Sequence, residues 1–451
     1  MLLLGTQRIN EYGHLEIGGC DTVELARRFG TPLYVMDEET IRQACRSYRK
    51  AFENRYPRNL IHYASKAFLC LAMCRIAEQE GLGLDVSSGG ELLTAMRANF
   101  PPERINLHGN NKSEDELRLA LRYGVGHITV DNFEEIELLT RLVARRRQKR
   151  VQDVLVRCAP GVDPETHRFM RTGQADTKFG FNIADGSALE AVRRVAESKA
   201  LRYRGLHFHV GSQLTDTEAH EGGLEAAVEL MAEVYSRCGL LTEVLNIGGG
   251  LGVRYVSTAQ HITVEEFAER IVAKLRALLE RYRMPEPILA QEPGRAIVGE
   301  AGVTLYTVGA VKTVPILEEP GRRTYVSVDG GLSDNPRPQL YDAVYEAVCA
   351  SRASEPHTET VAIAGKHCET DVLIWQAKCP PLWRGDILAI QTTGAYNYSM
   401  SSNYNRVPRP AVVLVVNGRA ELIVRREALT EMLRNDVRPA HLFESPEVKR
   451  C

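Results

Sequence analysis

Six short stretches of this 451-residue sequence hold side chains that could do chemistry together. Lys66 stands in YASKA, Asp85 in LGLDVSS and His108 in RINLHGN. His209 and Ser212 share HFHVGSQ; Gly248, Gly249 and Gly250 centre NIGGGLG; Glu292, Gly294 and Arg295 lie in QEPGR. Singly, each has a bland reading: a sunken lysine snorkels, and a lone histidine is a core residue. As a set they offer an amine nucleophile, imidazoles, carboxylates and a run of backbone N–H groups with no side chain in the way. Such glycine N–H groups can close on the oxygens of a phosphate, and Ser212 adds a hydroxyl donor. The triple glycine has two other readings, a tight turn with no ligand and a dinucleotide fingerprint. The fingerprint needs GxGxxG opening a helix near the start of a βαβ unit, with an acidic residue about 20 positions on. GGGLG follows a late strand instead, which suits a phosphate loop better.

Each of these stretches closes a short apolar run. The runs at 61–65, 82–88, 104–110, 127–132, 153–160, 204–211, 243–250 and 288–294 read as strands, rich in the Val, Ile and Leu expected of a parallel sheet buried on both faces. Amphipathic segments separate them. Ser113 with Glu116 three residues later is a capping box for a helix over 113–123. Phe267, Ile271, Leu275 and Leu278 keep helical spacing over 264–282. Eight β/α units predict a (β/α)8 TIM-like barrel, whose chemistry sits at the C-terminal strand ends. A doubly wound sheet is the competing architecture. After Val303 the pattern becomes antiparallel β, the mark of a second domain built as a β-sandwich or barrel. Its sharpest signal is Asn417-Gly418 between two alternating runs, a type I′ hairpin. TPLYVMDEE, ahead of the barrel, reads as a strand that returns to this domain. The expected division is 1–37 with the β-domain, 38–298 as barrel and 299–451 as β-domain.

The composition excludes other classes. With 56 Lys+Arg against 58 Asp+Glu the net charge is −2, so no general basic field marks a nucleic-acid binder. The run RRRQKR at 145–150 reads as a solvated helix end. No apolar run reaches the roughly 18 residues of a membrane span, and the N-terminus lacks the charged start of a secretory signal. Ten scattered cysteines form no CxxC pair, which predicts neither a zinc site nor a disulfide framework; Cys70 and Cys74 read as small core residues. A cytoplasmic address and no metal are expected.

A phosphate cradle beside a lysine and a carboxylate suggests pyridoxal 5'-phosphate. Its aldehyde forms a Schiff base with a lysine, and its ring nitrogen needs an anionic partner. Lys66 and Glu292 supply these, and His209 could stack on the ring. With GTPLYVMDEETI, DVSSGGEL, GLHFHVGSQL, NIGGGLGVRY, EPGRAIVG, DNPRPQLYDA, GKHCETD and GAYNYSMSSNYN, the chain resembles the barrel-type (fold type III) pyridoxal-phosphate decarboxylases along essentially its whole length, and most closely their diaminopimelate-decarboxylating branch. The resemblance implies roles. Lys66 carries the Schiff base. Asp85, His209, Ser212, Gly248, Gly249, Gly250, Glu292, Gly294, Arg295 and Tyr396 surround the cofactor. Arg295, Arg337, Tyr341, Glu369 and Tyr396 hold substrate, and Cys368 is the acid of a Cys-Glu motif. It further implies a homodimer with shared sites, in which Cys368 and Glu369 reach the neighbouring subunit's lysine. The implied reaction is loss of one carboxylate from meso-2,6-diaminopimelate to give L-lysine and carbon dioxide, the last step of lysine biosynthesis by the diaminopimelate pathway. Two arginines suit a substrate with a second carboxylate at its far end. The motif Cys368-Glu369-Thr370-Asp371 is one residue shorter than the family's Cys-Glu-Ser-Gly-Asp. A decarboxylase of another diamino acid, such as a D-amino acid or a siderophore or antibiotic precursor, and a non-catalytic cofactor-binding relative are the rival readings.

Overall fold

The computed structural model describes residues 2–146, 150–162, 174, 176–316 and 320–443. Eight short runs become the eight staves of a closed parallel barrel. In chain order they are Asn59–Ala64, Gly83–Val86, Ile105–Leu107, His127–Val130, Gln152–Ala159, Leu201–His207, Val244–Asn246 and Ile288–Gln291. Each pairs in parallel with the next, and the eighth returns to the first, with Leu289 opposite Asn59. Closure rules out the doubly wound alternative. The reason lies in burial. Strands such as Gly83–Val86 are buried throughout, so both faces need cover, from helices outside and from packed side chains inside.

Most strands are shorter than their apolar runs. The third stops at Leu107 and the seventh at Asn246, whereas the runs continue to 110 and 250. The residues between, His108 to Asn110 and Ile247 to Gly250, are loops that carry the chemistry; each loop starts with a buried residue whose backbone N–H still bonds a neighbouring strand, His108 to Val86 and Ile247 to Ala290. The helices agree more closely. Ser113 caps Glu114–Tyr123 with a capping box completed by Glu116, and Thr263 does the same for Val264–Tyr282 with Glu266. Cys70 and Cys74 lie buried in the barrel's apolar core. Arg145 caps the helix Phe133–Ala144, and residues 147–149 of the basic run lie outside the described residues, as does Cys451.

The second sheet has nine strands among the described residues. Its organising member is the N-terminal strand Leu33–Asp37. It pairs antiparallel with Gly302–Pro315 and parallel with Ala411–Val416, so the chain's start and end are stitched into one sheet. Leu33, Val35, Leu305 and Val413 pack together beneath it. Ala411–Val416 turns into Arg419–Val424 through Asn417 and Gly418, at φ +49° and +74°, the two positive angles that a type I′ hairpin requires. The sheet is mostly antiparallel; Tyr325–Ser327 pairs in parallel with Ala362–Ala364. The strand Ala347–Cys349 and a small N-terminal sheet of Arg8–Ile9, Leu15–Ile17 and Cys20–Asp21 are additions to the sequence reading.

Candidate active site

A cavity of about 410 Å³ opens at the C-terminal end of the barrel, where the second domain leans over it. That volume lies in the usual range for small-molecule sites. Lys66 enters from the turn Ser65–Ala67 after the first strand, and its side chain is exposed to the cavity although it lies deep in the molecule. Burial disfavours its charge, but Tyr396, Asp85 and Glu292 favour it more strongly, and the ammonium is held above its ordinary range. Asp85 lies buried beside it, its carboxyl raised chiefly by desolvation.

Glu292 follows the eighth strand and is the electrostatic centre. Its Oε1 accepts from His108 Nε2 at 2.7 Å, Asn246 Nδ2 at 2.7 Å and Asn106 Nδ2 at 3.2 Å, and its Oε2 accepts from His207 Nε2 at 3.0 Å. Desolvation alone would raise this carboxyl; His108 and His207 overturn that and hold it well below the usual range. Burial drives His207 down to about 3, so it stays neutral and gives its single N–H to the carboxylate. Glu292 is therefore an ionised carboxylate at the bottom of the cavity. His209, two residues on from His207 and on the same face, is kept neutral by burial and by the positive charge of Lys66.

The glycine loop lies directly beside Glu292, whose backbone N–H donates to the Gly248 carbonyl at 2.8 Å. Gly248 turns the chain at φ +68°, and Gly250 sits at φ +129°. A Cβ on Gly249 would lie 2.2 Å from the Glu292 carbonyl oxygen, and one on Gly250 would lie 2.6 Å from that of Gly211. His220 Nε2 donates to the Gly249 carbonyl at 3.0 Å, and Leu214 N–H to the Gly250 carbonyl at 2.9 Å. Arg295 Nη2 donates to Ser212 Oγ at 3.0 Å, and its guanidinium lies 4.8 Å from the Tyr396 ring centre. This is a rigid concavity of small residues with cationic and hydroxyl groups on its rim. It fits a phosphate, as the depth of Lys66 and the charge of Glu292 fit an aldehyde and a pyridinium nitrogen.

The second domain supplies the rest. Arg337 is buried on the short helix Arg337–Tyr341, its guanidinium 5.0 Å from the Tyr341 ring and 5.6 Å from that of Tyr396. Its Nε has no hydrogen-bond partner, and no carboxylate pairs with it among the described residues.

Of the sequence-predicted residues, Lys66, Asp85, His209, Ser212, Gly249, Gly250, Glu292, Gly294, Arg295, Arg337, Tyr341 and Tyr396 all line this cavity. Gly248 does not line it but shapes the turn behind it. Cys368 and Glu369 do not line it either; both are exposed on a loop of the second domain. That loop is closed by the buried Asp371, whose Oδ1 accepts from Leu332 N–H at 2.7 Å and whose Oδ2 pairs with His367 Nδ1 at 2.6 Å. The carboxylate fills space that a Cβ on Gly331 or Gly365 would occupy. Sequence reasoning missed Asn106, Arg157, His207 and Asn246. The signal was there: each is a polar residue inside an apolar strand, which needs a partner in the barrel interior. Arg157 lines the cavity with its guanidinium 4.3 Å from the Phe179 ring centre.

Residues 38–299 match the family "Pyridoxal-dependent decarboxylase, pyridoxal binding domain". A protein of Bacillus subtilis (strain 168) named diaminopimelate decarboxylase is 47% identical over 438 residues, 97% of this chain and 98% of that one. The chain belongs to the diaminopimelate decarboxylase family of pyridoxal-dependent enzymes. Another diaminopimelate decarboxylase, from Synechocystis sp., is 45% identical over 98% of this chain and 94% of its own. The crystal structure of diaminopimelate decarboxylase from M. jannaschii in co-complex with L-lysine superposes with a TM-score of 0.89 at 33% identity, covering 97% of this chain and 99% of that one. As a pyridoxal-dependent decarboxylase, the chain has in Lys66, Glu292 and the glycine loop a donor set that suits the family's cofactor.

Proposed function

We propose that this chain removes one carboxylate from meso-2,6-diaminopimelate and releases L-lysine and carbon dioxide. The observation that carries the substrate choice is Arg337, a buried guanidinium with an unpartnered Nε and no carboxylate of its own. A substrate with a distal carboxylate gives it a charge-assisted pair; one without leaves it only the Tyr345 hydroxyl and the faces of Tyr255, Tyr341 and Tyr396, with no anion.

When bound, pyridoxal phosphate supplies an aldehyde for amines and a ring that accepts the electrons left by a departing carboxylate. Lys66 would hold it through its amine, with Asp85 alongside. Ser212, Gly249, Gly250, Gly294, Arg295 and Tyr396 would take its phosphate, with Gly248 fixing the turn. Neutral His209 would face the ring, and ionised Glu292 would hold a proton at the ring nitrogen. Arg295, Arg337, Tyr341 and Tyr396 orient the amino acid so that one carboxylate alone is placed to leave. Cys368 or Lys66 then returns a proton to the α-carbon. Since Cys368 and Glu369 lie outside their own chain's cavity, the minimal active unit is taken as a homodimer, each site completed by Cys368 of the partner subunit and Glu369 of the partner subunit. We place the reaction in the cytoplasm and read the chain as 1–37 and 299–451 around a barrel of 38–298. No helix among the described residues is long and apolar enough to cross a membrane.

The test is product release by the holoenzyme offered meso-diaminopimelate, L-lysine or L-ornithine. Equal amounts of L-lysine and carbon dioxide are expected from the first alone, and Arg337→Ala should lose roughly 2–5 kcal/mol of transition-state binding for it. Turnover of a substrate without the distal carboxylate, or of none, would overturn the assignment.

A further inference from the structure

Cys368 and Glu369 stand on an exposed loop, yet the chain does not leave them loose. Two consecutive residues of another loop grip these two consecutive residues. Asn405 Oδ1 accepts from the Cys368 backbone N–H at 3.0 Å. Tyr404 O–H donates to Glu369 Oε1 at 2.6 Å, which leaves Oε2 for an ammonium. The Tyr404 ring also stacks on His367, centres 6.0 Å apart and planes at 26°. Asp371 holds Nδ1 at the edge of that imidazole, so His367 is fixed by a ring face and a ring edge.

The gripping loop is itself fixed at both ends. At its start, Tyr396 N–H and Ser399 Oγ both donate to the carbonyl of Ala67, the residue after Lys66, each at 2.8 Å. At its end, the Arg406 guanidinium donates to the Met432 carbonyl at 2.6 Å and to Asp436 at 3.1 Å. Asn405 sits at φ +52°, a left-handed conformation that asparagine tolerates better than most residues and that turns its side chain back onto Cys368.

From this juxtaposition we propose that Tyr404 and Asn405 are positioning residues, which set the placement of the Cys368 and Glu369 side chains for the reaction. The proposal rests on those two residues facing substrate. Asn405 acts through the backbone of Cys368, one of the two groups proposed to return the proton, so its loss falls on kcat. Tyr404 acts through the carboxylate that meets the distal ammonium, so its loss falls on KM.

The test uses the holoenzyme with Asn405→Gly, Asn405→Asp, Tyr404→Phe and Cys368→Ala. Glycine keeps the left-handed backbone and removes the acceptor, and aspartate keeps both. Because a misplacement of about 1 Å can cost on the order of 100-fold, Asn405→Gly should lower kcat by roughly 10- to 100-fold with KM little changed. It should also alter the pH-dependent rate at which Cys368 is alkylated by iodoacetamide, read by mass spectrometry. Asn405→Asp should recover most of both. Tyr404→Phe keeps the ring stack and should raise KM by about fivefold, as befits one lost hydrogen bond. Cofactor absorbance and melting temperature should stay near those of the parent. Unchanged kcat and thiol reactivity in Asn405→Gly, while Cys368→Ala is impaired, would overturn the positioning role alone. Equal losses in the glycine and aspartate variants with a lowered melting temperature would overturn it in favour of a merely structural loop. An unimpaired Cys368→Ala would remove the role assigned to Cys368, and the positioning proposal with it.

Discussion

Glu292 gathers side chains from three barrel strands onto one carboxylate. A carboxylate is acceptor-only, so all four hydrogen bonds agree with its charge, and each such bond to an ion adds about 1.5–3 kcal/mol. Glu292→Gln puts an amide N–H₂ among groups that are themselves donors and removes the charge. It should keep the cofactor but lose turnover by on the order of 100-fold or more, measured as lysine release; unchanged turnover would remove Glu292 from the electronic role. His220 gives the pH prediction. Buried under the Gly249 carbonyl, its imidazole is pushed by desolvation from 6.5 to about 4. As pH falls below 6.5 the unfolded chain binds a proton there and the native state does not, so stability present at neutral pH is lost toward acid. His220→Gln keeps a donor to that carbonyl and cannot titrate. The loss of unfolding free energy between pH 7.5 and pH 5 should therefore shrink by about 2 kcal/mol, measured by urea titration; equal losses would show that His220 titrates normally. At this scale the sequence was readable where a residue ends a strand, as with Lys66 and Glu292. It was less readable where a polar group hides inside one, as with Asn106, His207 and Asn246, because only closure of the barrel brings those three onto one carboxylate.

Elements were legible in proportion to how much of their structure is local. The capping box at Ser113 and the hairpin turn at Asn417-Gly418 are complete within a few residues, and the helices read over 113–123 and 264–282 agree with the structure to within a residue. Strand ends were not, since His108 and Ile247, the first residues after Leu107 and Asn246, stay buried and still donate backbone N–H bonds to Val86 and Ala290 although the strands have ended. The three-residue strand Ala347–Cys349 is too short for alternation to show. The glycine loop after the seventh strand carries a prediction of its own. Gly249→Ala places a methyl group 2.2 Å from the Glu292 carbonyl oxygen, a backbone atom that cannot swing aside. The loop must retreat, at about 1–3 kcal/mol of stability. Expected are a lower melting temperature and loss of bound cofactor on dialysis, followed by its visible absorbance. Full retention of the cofactor would show that the loop is a turn and not a cradle.

At the scale of the whole molecule, the chain threads its first and last parts through one sheet and hangs the barrel between them. That sheet sets Arg337, Tyr341 and Tyr396 over the barrel mouth, while Cys368 and Glu369 face outward on the same domain. The central claim is a decarboxylating site built around Lys66 and finished by a second chain. It is tested most directly with Lys66→Ala and Cys368→Ala, each first assayed alone and expected to be nearly inactive, which are then unfolded and refolded together and assayed for L-lysine released from meso-diaminopimelate. In a mixed dimer one site has both defects and the other has neither. Random pairing makes about half the dimers mixed, so about a quarter of all sites should regain wild-type turnover. Mass-verified mixed dimers that release no more lysine than either parent would contradict the account, because Cys368 would then serve the Lys66 of its own chain or take no part in the reaction.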